Sequence, residues 1–166
     1  MESLQISLLV LLAVVFVIYR QLQARPTGRP AVFIAPGIMI VAGLIPGLLP
    51  GGLIDSRHLA ASVTLLLVEA AVSAAFGVWR ASTVRVWLDG SGVPWSKATG
   101  WTLLGWLASI AARFALLYVG TLLGLAPTAG SILLFVGITI GVQSYLVARR
   151  GRALAGTGRR ADTVVG

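Results

Sequence analysis

Five continuous apolar runs, at about residues 4–19, 31–49, 58–79, 101–123 and 128–148, leave this chain few ways to fold. Each is close to the ~20 residues that a helix needs to cross the hydrocarbon core of a bilayer. In lipid every backbone amide and carbonyl must be satisfied within the protein, which only helices and closed barrels achieve. Barrel strands alternate apolar and polar residues, whereas these runs do not alternate, so they read as helices. The expected fold class is all-α: a polytopic, multi-pass membrane protein with five transmembrane helices. Composition agrees, because 57% of residues are hydrophobic and only 11% charged, against about 25% charged in soluble domains. Mean hydropathy is +0.93. Residues 1–150 make a single transmembrane domain, and 151–166, "GRALAGTGRRADTVVG", read as a basic cytoplasmic tail with disorder expected beyond about residue 155.

Charges between the runs give an orientation. The first run follows "MESLQ", which carries Glu2 and no basic residue, and it is followed by Arg20, Arg25 and Arg29. A cleavable signal has the reverse order, so this run reads as a retained span with its N-terminus outside. Asp55 and Arg57 cancel in the next connector, Arg80, Arg85 and Lys97 outweigh Asp89 in the third, and residues 124–127 carry no charge. Five arginines from Arg149 onward stand against Asp162. All basic segments fall on one side if the C-terminus is cytoplasmic, as the positive-inside rule requires. Trp79, Trp87, Trp95 and Trp101, with Tyr19 and Tyr145, gather near that same interface. The net charge of +8 is therefore assigned to anionic lipid headgroups rather than to nucleic acid. The second run holds Pro36, Pro46 and Pro50 with Gly37, Gly43 and Gly47, which predicts a kinked or irregular helix.

One carboxylate lies within the third run, in "LLLVEAAVSAAF". Glu69 is eleven residues in from His58, a depth of roughly 16 Å, and Arg113 on the antiparallel fourth run lies roughly 15 Å from the same face. A lone charge at mid-bilayer costs at least about 2.5–3.5 kcal/mol, so two opposite charges at equal depth are expected to pair inside the bundle. Ser62, Glu69 and Ser73 share one helical stripe, and Thr102, Ser109 and Arg113 another. The pair reads either as a structural ion pair that fixes helix register or as a ligand, ion or proton site.

The connector "STVRVWLDGSGVPWSKAT" reads either as a short β-hairpin on the membrane surface or as continuation of the third helix, with Arg80, Arg85, Trp87 and Asp89 as its notable side chains. Thr83, Arg85 and Trp87 alternate with Val84, Val86 and Leu88, and Asp89-Gly90, Gly92 and Pro94 supply turn chemistry. Its role is that of an interfacial anchor or of a docking element for a cytoplasmic partner. His58 is the single histidine and cysteine is absent, so no zinc cluster, thiol chemistry or cofactor is expected. No nucleophile–base–acid set assembles, and "GLIPGLLPGG" lacks phosphate-loop spacing. The chain is not expected to be an enzyme.

With "YRQLQARP" after the first run, "IAPGIMIVAGL" in the second, "FGVWRASTVRVW" leaving the third and "GWTLLGWLASIAARF" in the fourth, the chain resembles the CcdC-like family of small bacterial integral membrane proteins, in particular its actinobacterial branch. The resemblance covers about residues 10–118. It implies a polytopic plasma-membrane protein, and the family name implies a link to cytochrome c maturation, although the missing cysteines speak against thiol transfer. The leading expectation is a non-enzymatic scaffold, assembly or regulatory component. The alternative is a small homodimeric transporter or lipid- or ligand-binding protein that uses the Glu69–Arg113 pair.

Overall fold

The structure, a computed structural model, describes residues 23–27, 30–47, 53–54, 56–125 and 128–164. The expected first span, 4–19, lies outside the described residues. Four α-helices follow in order: α1 (Ile34–Gly47), α2 (Leu59–Thr83), α3 (Gly100–Leu122) and α4 (Ala129–Val164). Leu59–Thr83, Gly100–Leu122 and, within α4, Gly130–Thr157 are each long and apolar enough to cross a membrane, and α1 is a shorter apolar helix.

The described part of the second run is more regular than its composition predicts. A 3-10 turn, Pro30–Phe33, leads into an unbroken helix. Pro36 falls in the first helical turn, where the amide that proline lacks would have no partner anyway. Pro46 falls in the last turn, so neither ring interrupts the middle of the hydrogen-bond ladder.

α4 is the element on which the others converge: α1 and α2 both pack against it, and α3 packs against α2. Close approach makes this possible. A Cβ added to Gly43 would stand 2.7 Å from the Gly130 carbonyl oxygen, so α1 and α4 meet backbone to backbone. Small residues drive helix association in lipid for this reason. α4 runs on without a break to Val164, through most of the residues read as a tail. Arginine and alanine in "RRGRALAGTGRRAD" are strong helix formers, and the glycines there cost the extended helix less than nucleating a new one would.

Between α2 and α3 the connector forms the hairpin rather than prolonging the helix. Strands β2 (Arg85–Leu88) and β3 (Pro94–Lys97) pair antiparallel, with Trp87 opposite Trp95. A third strand, β1 (Arg25–Pro26), pairs with β3, so the sheet order is β1-β3-β2. Pro26 fits there because β1 is an edge strand whose outer side needs no donor. Thr27 ties the strand down: its amide and hydroxyl both donate to the Pro94 carbonyl, at 2.9 and 3.1 Å. Ala81, Val84 and Val147 form a small apolar core where the end of α2, the sheet and α4 meet.

The hairpin turn is organised by Asp89. Its Oδ1 accepts from the Ser91 amide (3.0 Å), the Ser91 hydroxyl (2.7 Å) and the Val93 amide (2.9 Å), while Oδ2 accepts from the Trp95 indole (3.0 Å). Gly92, rather than Gly90, takes the left-handed conformation, with φ of 78°. The Ser91 hydroxyl and then the Val93 amide hold the Asp89 carboxyl below its ordinary value of 3.8. A carboxylate with a lowered folded-state pKa stabilises the fold at pH above the unfolded value, and that contribution is lost as pH falls through the folded one. The hairpin is therefore expected to be unchanged from neutral pH down to about pH 4 and to loosen below it. The Trp95 indole N–H resonance in micelles reads this directly, and Asp89→Asn should abolish the acid transition.

Candidate functional site

Burial in this molecule is inverted relative to a water-soluble protein. Side chains facing away from the other described residues include Leu107, Phe114, Tyr118 and Leu122, the last 69% exposed. Those facing inward include Ser62, Glu69, Ser73, Arg80, Thr102, Ser109, Arg113 and Thr139. In water such a partition would leave large apolar patches bare. With lipid outside it is the natural one, because polar groups there have only each other.

Along the seam between α2 and α3, Arg113 Nη1 lies 2.5 Å from Glu69 Oε1, and each side chain is 8% exposed. The guanidinium also reaches a third helix: Arg113 Nη2 donates to Ser131 Oγ on α4 at 2.6 Å. The Phe135 ring lies 5.4 Å from its centre, an added cation–π contact. One arginine therefore joins three helices. Ser131 was not foreseen, because counting residues gives the depth of a charge and not its direction around the helix.

Ser62, Ser73, Thr102 and Ser109 are all buried, as their stripes require. Two of these hydroxyls serve their own helix: Ser73 donates to the Glu69 carbonyl at 2.5 Å and Ser109 to the Trp106 carbonyl at 2.8 Å. Such back-bonding satisfies a hydroxyl without a partner helix, so these two positions contribute smallness rather than cross-links. Thr102 differs. Its hydroxyl lies 3.0 Å from that of Thr83, and Thr99 donates to the Thr83 carbonyl at 2.8 Å. Thr99 and Thr102 also form a capping box at the start of α3. Three threonines thus bolt the end of α2 to the beginning of α3.

Arg80 corrects the sequence reading. It was assigned to the connector, but it lies in the last turns of α2 and is 0% exposed. Its guanidinium stacks 3.9 Å over the Trp106 ring of α3. A Cβ at Gly105 would sit 2.7 Å from Arg80 Cγ, so the glycine leaves the slot that the side chain occupies. The signal was present in the sequence: Ser62 and Arg80 are eighteen residues apart, five full helical turns. Arg85 and Trp87 do belong to the hairpin and are exposed, and Asp89 is taken up by the turn. Arg150, read only as a tail charge, donates from Nη1 to the Ala81 and Val84 carbonyls at 2.7 and 3.2 Å. It thereby caps the negative end of the α2 dipole. A groove of about 730 Å³ opens at this end, lined by residues that include Thr83, Arg85, Trp87, Thr99, Trp101 and Arg150.

His58 is exposed at the opposite end of α2, and among the described residues no cluster of three or more metal-ligating side chains occurs. Compared with protein families, with curated proteins and with solved structures, the chain matches none.

Proposed function

We propose that this chain is a bacterial plasma-membrane protein of five transmembrane helices, N-terminus outside and C-terminus cytoplasmic, that acts as a non-enzymatic scaffold, assembly or regulatory component. The observation that carries this reading is the closure of the Glu69–Arg113 pair. Its two charges meet each other and Ser131, and both side chains are nearly inaccessible. A substrate path would want the carboxylate reachable from one side, whereas a closed joint between three helices suits a rigid support. Exposed at the basic end are Arg85, Trp87 and Ser91 of the hairpin and Arg152 and Ala153 of α4, surfaces on which a cytoplasmic partner would dock. The alternation of charged connectors supports the orientation, and the resemblance to CcdC-like proteins is in keeping with a bacterial plasma membrane.

The chain has no cysteine, so single cysteines can be introduced and labelled without background. Ser73→Cys, beside the pair, is expected to stay unreactive to a small charged methanethiosulfonate while Ser91→Cys at the hairpin tip reacts to completion. Labelling of Ser73→Cys at a comparable rate would make the seam water-filled and favour the homodimeric transporter. In intact cells an impermeant maleimide should reach His58→Cys directly and Ser91→Cys only after the membrane is opened. The reverse pattern would invert the orientation.

A further inference from the structure

The seam between α2 and α3 contains one carboxylate and two guanidinium groups, and the surplus cation is Arg80. Its Nε, Nη1 and Nη2 are buried and have no hydrogen-bond acceptor among the described residues. The Trp106 face accounts for one side of the planar group, but a ring face does not take up five N–H donors. A charge taken out of water without a counter-ion is among the most destabilising features a fold can carry. Yet this one sits in a shaped slot, with Gly105 clearing the way for its stem and Trp106 supporting its head.

Among the described residues no acid supplies the partner. Of the chain's five acidic residues, Glu69 is held by Arg113 and Asp89 by the hairpin turn. Asp55 precedes α2, and Arg80 lies about 31 Å along that helix from Leu59. Asp162 is twelve residues beyond Arg150 on α4, about 18 Å past the end of α2 that Arg150 caps. Glu2 lies outside the described residues, separated in sequence from Arg25 of β1 by the whole apolar run 4–19.

We propose that Arg80 is the cationic half of an oxyanion site at the hairpin end of the α2–α3 seam, and that it takes the phosphate of an anionic phospholipid headgroup. Guanidinium pairs with phosphate through parallel, charge-assisted hydrogen bonds that use the donors now idle. A groove toward the hairpin gives the approach once the slot opens locally, since Arg80 itself is fully buried. Thr83 lines that groove and donates to the backbone carbonyl of Arg80 at 2.9 Å, so the groove opens one helical turn beyond Arg80, whose guanidinium is not part of its lining. Arg85 adds positive charge at the rim, and the exposed Trp87 and Trp101 mark headgroup depth. A lipid phosphate is the favoured source because the groove meets apolar helix surface: Leu104 and Leu107 of α3, both exposed, continue from Trp101 along the path that acyl chains would follow. The proposal needs the membrane embedding and is independent of the scaffold reading, since it concerns a different arginine.

The test is thermal unfolding of the full chain in a neutral maltoside detergent at fixed ionic strength, titrated with phosphatidylglycerol, with phosphatidylcholine or with inorganic phosphate. Phosphatidylglycerol should raise the wild-type Tm by about 5 °C more than phosphatidylcholine does. Arg80→Gln should lose that difference, and Lys97→Gln, which removes an exposed charge outside the groove, should keep it. Arg80→Lys retains the charge without the planar fork and should need several-fold more phosphatidylglycerol for the same rise, which decides the matter if the glutamine variant does not fold. An equal rise with inorganic phosphate, lost in the same variants, would keep the site and overturn the lipid as its source. No selective rise in the wild type, or a response in Arg80→Lys equal to the wild type's, would overturn the proposal.

Discussion

Glu69→Gln is expected to lower the stability of the bundle by about 3–5 kcal/mol, the range seen when one partner of a buried ion pair is removed. The cost comes less from the lost attraction than from what is left behind. Arg113 would stay inside the seam with Ser131, at 2.6 Å, as its hydrogen-bond acceptor and the Phe135 ring beyond it. Arg113→Gln should cost a similar amount for the mirrored reason. Exchanging the two residues, Glu69→Arg with Arg113→Glu, should recover part of the loss and not all of it. A carboxylate at 113 has a shorter stem than arginine and accepts rather than donates, so the link to α4 would not be rebuilt in its present form. Unfolding of the purified protein in micelles, followed by circular dichroism, measures all three variants. If the exchanged pair is no more stable than the worse single variant, the pairing does not hold the helices together.

A second large effect is expected at Gly77. A Cβ there would lie 2.8 Å from the Thr139 carbonyl oxygen and 2.8 Å from Val142 Cβ, both on α4. One of these atoms is backbone, so no rotamer change relieves the clash and the two helices have to separate. Overpacking of this kind costs typically 1–3 kcal/mol, occasionally more, and for Gly77→Val about 3 kcal/mol is expected. Gly37 is the internal comparison. Nothing lies within 4 Å of the position a Cβ would take there, so Gly37→Ala should be neutral or stabilising by up to about 1 kcal/mol through helix propensity alone. Equal responses at the two glycines would mean that α2 and α4 do not meet at Gly77.

What the sequence made legible, and what it did not, follows from which physical quantities are one-dimensional. Depth is such a quantity: counting 1.5 Å per residue from opposite ends put Glu69 and Arg113 at one level, and they meet. Angle around the axis is only partly so. The stripes of Ser62, Ser73, Thr102 and Ser109 were readable because each lies on a single helix, but the contribution of Ser131 depends on how a third helix is turned. Arg80 was misassigned because a basic residue near the end of an apolar run looks like a loop charge, whichever way it faces. Strand β1 was not anticipated at all. Two residues, Arg25 and Pro26, carry no periodicity, and they become a strand only because β3 arrives beside them from 70 residues further along the chain. The extent of α4 is hard to read for a different reason: glycine-rich sequence lowers helix propensity locally, while a helix already growing continues through it.

That continuity has a mechanical consequence. At 36 residues, α4 is a rod about 54 Å long, and the bundle grips one half while the sheet packs against its continuation. Helices respond to a thinner or thicker bilayer by changing their tilt. A change of about 5° displaces the level of Gly151, where the sheet packs about 33 Å from Ala129, by roughly 3 Å. The sheet rides on that lever arm, so a small adjustment to membrane thickness becomes a sideways sweep of the hairpin across the membrane surface.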